Sequence, residues 1–150
     1  MVEKKVYTHM DFQAEWERLV TRAHKQGYNS LDPAEKVWFT VRCLVDAVNN
    51  GGFVSYFYNP GGELVYEALK ALETIGALNT KSLLLKMVNL FPRWEVPAEL
   101  DARNKIIETW DSEDMDKLMK QVDDNFFSQA EDVEALLIKF IIENGVVKPG

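Results

Sequence analysis

The chain has 150 residues, of which 47% are hydrophobic and 27% are charged, a composition typical of one soluble globular domain. One cysteine, Cys43, excludes an internal disulfide, and two histidines leave little material for a transition-metal site. No apolar run is long enough to cross a bilayer, and the opening segment lacks the layout of a secretory signal. We therefore expect a cytoplasmic protein that makes no membrane contact.

The net charge of −7 is concentrated in one segment of the chain. Residues 1–98 hold equal numbers of acidic and basic residues, whereas residues 99–134 hold 12 acidic and 4 basic ones. Such a segment repels nucleic acid and attracts basic protein surfaces. We expect no direct binding of nucleic acid.

The first half of the chain predicts two amphipathic helices. The first begins at Thr8, the predicted cap, and ends at Gly27, so that it covers residues 8–27. The second has Asp32 as its cap and Glu35 as the partner in a capping box. Its apolar stripe continues to Val48 and is predicted to stop at the polar and glycine residues that follow.

The central segment, residues 49–59, follows this stop with four aromatic residues within six positions. Glycine allows positive φ at low steric cost, so we predict a sharp turn followed by an aromatic plug, Phe53, Tyr56 and Phe57, in the core. Its polar residues satisfy loop backbone groups or line a small binding pocket. The candidate pocket residues of this central segment are Asn49, Asn50, Gly51, Gly52, Phe53, Tyr56 and Asn59.

The second half continues the helical pattern without strand-like alternation. Asn59 is predicted to start a helix, and Asn79 or Thr80 to cap the next one. Ser112 caps a helix in the acidic segment, and the capping box from Ser128 to Glu131 opens the last. The spacing of the four tryptophans, Trp94 included, is typical of core residues. The prediction is a single all-α domain, residues 1–150, of six to seven helices.

No arrangement that could support catalysis is present in the sequence. Ser55 lacks the flanking glycines of a nucleophile elbow, and Cys43 has no histidine within a helical turn. The glycines have neither dinucleotide-binding nor phosphate-loop spacing. We therefore predict no catalytic residue, no metal ligand and no cofactor, and a protein that is not an enzyme.

The segment from Asn49 to Asn59 resembles the Asn-Gly-Gly-Phe-x-Gln-Tyr-Phe-x-Asn signature of a bacterial domain family of unknown function. That family is typified by the C-terminal-like domain of an acidic DNA-mimic protein. The resemblance covers about residues 31–145, and the chain departs from the signature at Ser55, where the family usually has Gln. It implies an all-helical domain, on which the helix of residues 8–27 packs, and a non-enzymatic interaction protein.

Two hypotheses of function remain open. In the first, the protein is an acidic DNA mimic that binds a basic DNA-binding protein, because carboxylates three or four residues apart on a helix lie about 5–6 Å apart and can stand for phosphates. In the second, it binds a peptide or small molecule in a polar pocket of the central segment. The oligomeric state is left open. The candidate acidic surface consists of Glu108, Asp111, Glu113, Asp114, Asp116, Asp123 and Asp124.

Overall fold

The computed structural model describes residues 5–150, so residues 1–4 of the predicted domain lie outside the described part. Within it the chain forms α-helices, short 3₁₀ turns and no strand, which confirms the all-α prediction. The helices are α1 (Gln13–Gln26), α2 (Pro33–Tyr58), α3 (Val65–Thr74), α4 (Leu78–Val88), α5 (Leu100–Ile107), α6 (Glu113–Ser128) and α7 (Val133–Glu143). 3₁₀ turns cover His9–Phe12, Tyr28–Ser30, Pro60–Leu64 and Pro92–Trp94.

The long helix α2 is the centre of the domain and contacts each of the other six helices. On its first half, the rings of Trp16 and Trp38 lie 5.5 Å apart and join α1 to α2. On its second half, Phe57 packs against Phe91, with ring centroids 5.2 Å apart. One hydrophobic core therefore runs along α2 from end to end.

Helix starts with local capping signals form as predicted. The N–H of Thr8 donates to Asp11 Oδ2 at 2.8 Å, in a capping box that precedes α1. The N–H of Asp32 donates to Glu35 Oε1 at 2.9 Å, and Pro33 occupies the first position of α2. Capping side chains satisfy N–H groups that the first turn of a helix leaves unpaired.

Two other predicted helix starts are wrong. Neither Asn79 nor Thr80 caps α4; Glu131, from the α6–α7 connector, accepts both of their N–H groups at 2.9 and 3.0 Å. Ser128 is the last residue of α6, and α7 is capped by Asp132, which accepts the N–H of Ala135 at 3.0 Å. Glu131 cannot close a local capping box because its carboxylate is used by the distant helix α4.

The predicted stop at residues 49–52 is a kink and not a loop. Only Gly51 and Gly52 have non-helical backbone angles, and helical geometry resumes at Phe53 and continues to Tyr58. The aromatic plug is confirmed as core, since Phe53, Tyr56 and Phe57 are at most 1% exposed.

Trp94 was predicted to be a core residue, and this prediction is wrong. Its side chain is 67% exposed, in the connector between α4 and α5, whereas Trp16, Trp38 and Trp110 are buried. None of the helices within residues 5–150 is both long and apolar enough to cross a membrane.

Candidate functional site

The kink in α2 is held by a side chain from α6. Gly52 has φ +80°, a conformation that favours glycine. The N–H of Phe53, the first after the kink, donates to Asp123 Oδ1 at 2.9 Å. Asp123 thus caps the second half of α2, and a Cβ on Gly52 would lie only 2.3 Å from its Oδ2. The helix restarts without a loop because this cap comes from a distant residue.

Asp123 is therefore the member of the candidate acidic surface that faces inward. Its side chain is half-buried, and burial raises the pKa of its carboxyl above the ordinary value of 3.8, although the Phe53 N–H acts in the opposite direction. The sequence predicted an exposed charge at this position. Only the packing of α6 against α2 reveals its capping role.

The last residue of the central segment, Asn59, is used in the local structure. Its Nδ2 donates to the Ser55 carbonyl at 2.6 Å, and its own carbonyl accepts from Arg103 Nη2 at 2.8 Å. The side chain of Asn59 itself is exposed at the surface. It stabilises the end of α2.

Arg103, on α5, is fully buried and was not identified from the sequence. Its guanidinium donates to four carbonyls, of Phe57, Asn59, Pro97 and Ala98, at 2.7–3.0 Å. Burial lowers the pKa of this guanidinium. The four hydrogen bonds join the end of α2 to the connector that precedes α5.

Gly62 makes room for this buried arginine. A Cβ at position 62 would lie 2.9 Å from the Tyr56 carbonyl oxygen and 3.1 Å from Arg103 Nε. The neighbouring Gly61 has open space at the same place. In the sequence, the pair Gly61-Gly62 was the one available signal that the backbone approaches another group here.

The aromatic plug is packed in the core, where its rings contact one another and a ring of α6. Phe53 meets Phe126 edge to face with centroids 5.7 Å apart, and Tyr56 meets Phe57 similarly at 5.3 Å. The Tyr56 hydroxyl is buried without a hydrogen-bond partner in the described chain, and burial raises its pKa. These rings stabilise the fold of the central segment.

Asn49, in the central segment, lines a surface cavity. The cavity has a volume of about 410 Å³ and lies between α2 and the α6–α7 connector. Phe126 and Phe127 contribute apolar walls, and Asp46 lines it beside Asn49. Asn50 is exposed at the surface next to it.

The candidate acidic surface is concentrated in the connector between α5 and α6 and in the first turn of α6. There five carboxylates are exposed, and none forms an ion pair within residues 5–150. Ser112 fixes the start of α6 by accepting the N–H of Met115 at 3.2 Å. The five, which we call the α5–α6 acidic patch, are Glu108, Asp111, Glu113, Asp114 and Asp116.

The rest of α6 does not extend this patch as a continuous row. Asp124 pairs with Lys120 at 2.7 Å. Lys117 and Lys120 lie between Glu113 and Asp124 on one helix face, because residues three and four apart are neighbours on a helix. The outer face of α6 therefore carries mixed charge beyond its first turn.

The described residues contain little that could support metal binding or nucleophilic chemistry. No three His, Cys, Asp or Glu side chains within residues 5–150 are arranged to hold a metal ion. Burial raises the pKa of the Cys43 thiol to about 12, so that it stays protonated and poorly nucleophilic at neutral pH. The features available for function among the described residues are thus surfaces and several open cavities, of which the one lined by Asn49 lies beside the central segment.

Of three comparisons with known proteins, one found a relation. Searches of curated proteins and of solved structures found no match. A scan of protein families matched residues 29–144 to the family described as DMP19-like protein. This match covers all of α2 to α7 and leaves α1 outside. The chain therefore belongs to the DMP19-like protein family.

Proposed function

We propose that this protein is a non-enzymatic, cytoplasmic interaction protein that acts as an acidic DNA mimic. Its α5–α6 acidic patch would occupy the DNA-contacting surface of a basic DNA-binding protein. The observation that carries this proposal is the cluster of five exposed carboxylates without ion-pair partners in the described chain. Membership of the DMP19-like family, together with the resemblance of the central segment to a DNA-mimic family, supports it.

The physical basis is charge complementarity. Proteins that bind duplex DNA present Lys and Arg to the phosphates, and their affinity falls steeply with salt. Unpaired carboxylates on a fixed helix start attract the same side chains, and no lysine of this protein competes for them by a direct ion pair in the part described. The first turn of a helix also favours acidic residues, so charge at this place has a structural benefit as well.

The test compares two variants of equal net charge. The first neutralises the patch by Asp111→Asn, Asp114→Asn and Asp116→Asn. The matched control neutralises exposed acids elsewhere, by Glu17→Gln, Glu73→Gln and Glu143→Gln. Immobilised wild type and control should capture a DNA-binding protein from lysate of the source organism, and a salt gradient or added duplex DNA should release it.

The patch variant should capture none of that partner at matched folded fraction. Equal capture by all three proteins would contradict a role of the patch. Equal loss in both variants would mean that only the net charge matters. A partner that remains bound at high salt would contradict an electrostatic mechanism.

The cavity beside Asn49 favours a second candidate function, the binding of a peptide or small molecule. Its volume is about 410 Å³, and it combines the apolar walls of Phe126 and Phe127 with polar groups such as Asn49, so a ligand can be held by short-range contacts that salt screens less than surface charges. The matched pair is Asn49→Ala, at the cavity, and Asn50→Ala, at the exposed neighbouring position. Binding that resists salt and is lost only in Asn49→Ala would support this candidate over mimicry.

A further inference from the structure

The connector between α4 and α5 contains a strained pair of residues. Arg93 and Trp94 have φ of +57° and +60°, and no other non-glycine residue in the described part of the chain has positive φ. This left-handed conformation is unfavourable for bulky side chains, and consecutive examples are rare. Strain of this kind persists only where the surroundings enforce it, and it concentrates at functional sites.

Hydrogen bonds enforce the conformation of Trp94 from both sides. Its N–H donates to the Phe91 carbonyl at 3.0 Å. The Tyr66 hydroxyl, on α3, donates to the Trp94 carbonyl at 3.1 Å and accepts the N–H of Val96 at 2.9 Å. Further along, Arg103 holds the carbonyls that precede α5. The connector is therefore a rigid support.

The connector holds the indole ring of Trp94 at the protein surface. Trp94 is 67% exposed, although a buried indole would contribute most to the stability of the fold. Tyr66, beside it, is 43% exposed. Tryptophan, tyrosine and arginine are the residue types enriched at the centres of protein interfaces. Packing within the domain does not account for the position of this ring.

The charges that lie close to Trp94 in the sequence indicate the chemistry of its partner. Glu95 follows it directly, and Glu99 and Asp101 are exposed at the start of α5. The basic residue among its neighbours in this stretch is Arg93. A cation, most often a guanidinium, is attracted to the face of an indole, and nearby carboxylates strengthen its binding.

We propose that Trp94 is the docking point for an arginine side chain of a basic protein partner. This rests on the proposed function, because the same partner would contact the α5–α6 acidic patch, and it names the contact that gives arginine preference over lysine. The guanidinium stacks on the indole while Glu95 and Glu99 supply the opposite charge. Preorganisation by Tyr66 and Arg103 lowers the entropy lost on binding.

The test uses octa-arginine and octa-lysine peptides as probes and Trp94 as the reporter. Trp16, Trp38 and Trp110 are buried, so acrylamide quenching of fluorescence reports mainly on Trp94. Octa-arginine should protect wild type from quenching. Titration calorimetry, which does not need the indole, measures the affinities of all variants, and wild type should bind octa-arginine more tightly than octa-lysine. Trp94→Ala should weaken octa-arginine about three- to tenfold and bring the two affinities together. Trp94→Phe should keep part of the preference.

Tyr58→Ala is the matched control, because Tyr58 is another exposed aromatic, at 42%, and lies at the end of α2. It should leave the arginine preference unchanged. If octa-arginine binds and patch neutralisation weakens it, while Trp94→Ala changes neither affinity nor preference, the docking point is wrong and the proposed function stands. If neither peptide binds wild type at low salt, both are wrong. Protection from quenching that rises with protein concentration alone would assign the ring to a second copy and overturn the proposal.

Discussion

The carboxylate of Asp123 caps Phe53 across 70 residues of sequence, with Oδ1 2.9 Å from the backbone nitrogen. This one contact joins the acidic helix α6 to the kink in the central helix α2. The kink needs both a glycine with positive φ and a carboxylate against it. Acidic residues of this protein thus lie both at its surface and within its architecture.

Gly52→Ala should destabilise the protein more than Gly76→Ala. Gly52 combines φ +80° with ψ 178°, a region essentially confined to glycine, so its substitution costs about 1–3 kcal/mol of backbone strain, whereas Gly76, at φ +81°, should cost about 1 kcal/mol. At Gly52 the new Cβ also displaces Asp123 from the Phe53 N–H, at a further cost of about 1–2 kcal/mol, whereas Gly76 has open space. Urea unfolding followed by circular dichroism measures both losses. Equal losses would contradict the cap.

A double-mutant cycle tests the same contact from the other side. Asp123→Ala alone should cost about 1–2 kcal/mol, as loss of a helix cap does. Combined with Gly52→Ala it should cost less than the sum of the two single losses, because the clash and the hydrogen bond involve the same carboxylate. Additive losses would mean that the two residues do not interact.

The pH dependence of stability should carry a signature of Asp123. Burial raises the pKa of its carboxyl above 3.8 in the folded protein, so the folded state binds this proton more tightly than the unfolded state. Its contribution is therefore complete below 3.8 and is lost as the pH rises through the folded-state value. The stability of wild type relative to Asp123→Asn should fall as the pH rises from below 3.8. An increase over that range would show the opposite shift.

Gly62→Ala should disturb the buried arginine, and Gly61→Ala should not. The Cβ at position 62 meets the Tyr56 carbonyl, which accepts the Asn59 N–H, and Arg103 Nε, which donates to the Phe57 carbonyl; both bonds lie at the end of α2. We expect a loss of about 2–4 kcal/mol at Gly62 and a change within about 0.5 kcal/mol at Gly61. Thermal and urea unfolding of the pair provide the comparison. Similar effects at both positions would contradict the close approach.

The distant cap of α4 can be tested at Glu131. Its carboxylate accepts from the N–H groups of Asn79 and Thr80 and from the Thr80 hydroxyl at 2.6 Å. Glu131→Ala should cost about 2–3 kcal/mol, and the amides of residues 79 and 80 should exchange faster with deuterium. Glu73→Ala is the control, since its exposed pair with Lys81 contributes at most about 1 kcal/mol. Unchanged exchange at residues 79 and 80 would exclude the cap.

Local signals in the sequence predicted the helices, and distant contacts account for the errors. The capping boxes at Thr8 and Asp32 and the cap at Ser112 involve residues within one turn, and all three were confirmed. Glu131 matched a local pattern as well, yet its carboxylate serves α4, because the fold brings the α6–α7 connector to that helix start. Residue spacing carries no information about such a contact.

The candidate site was predictable in composition and not in arrangement. The acidic segment was evident from charge counts, but the inward turn of Asp123 and the pairing of Asp124 required the packing of α6. Arg103 was hidden among acidic residues, where a basic residue suggests an exposed ion pair. Trp94 was assigned to the core from the spacing of the four tryptophans, and spacing cannot predict a backbone that holds a ring outward.

The strain at Trp94 gives a prediction of stability that is independent of any partner. Trp94→Gly should be more stable than Trp94→Ala by about 1 kcal/mol, because φ is +60° and glycine adopts this conformation without steric cost. At Lys86, an exposed position within α4, the order should reverse, with Gly less stable than Ala by about 1 kcal/mol. Urea unfolding of the four variants measures both differences. The same order at both positions would mean that Trp94 is not strained. If the reversal is found while Trp94→Gly loses the arginine preference, the protein retains a conformation that lowers its stability and presents a binding residue.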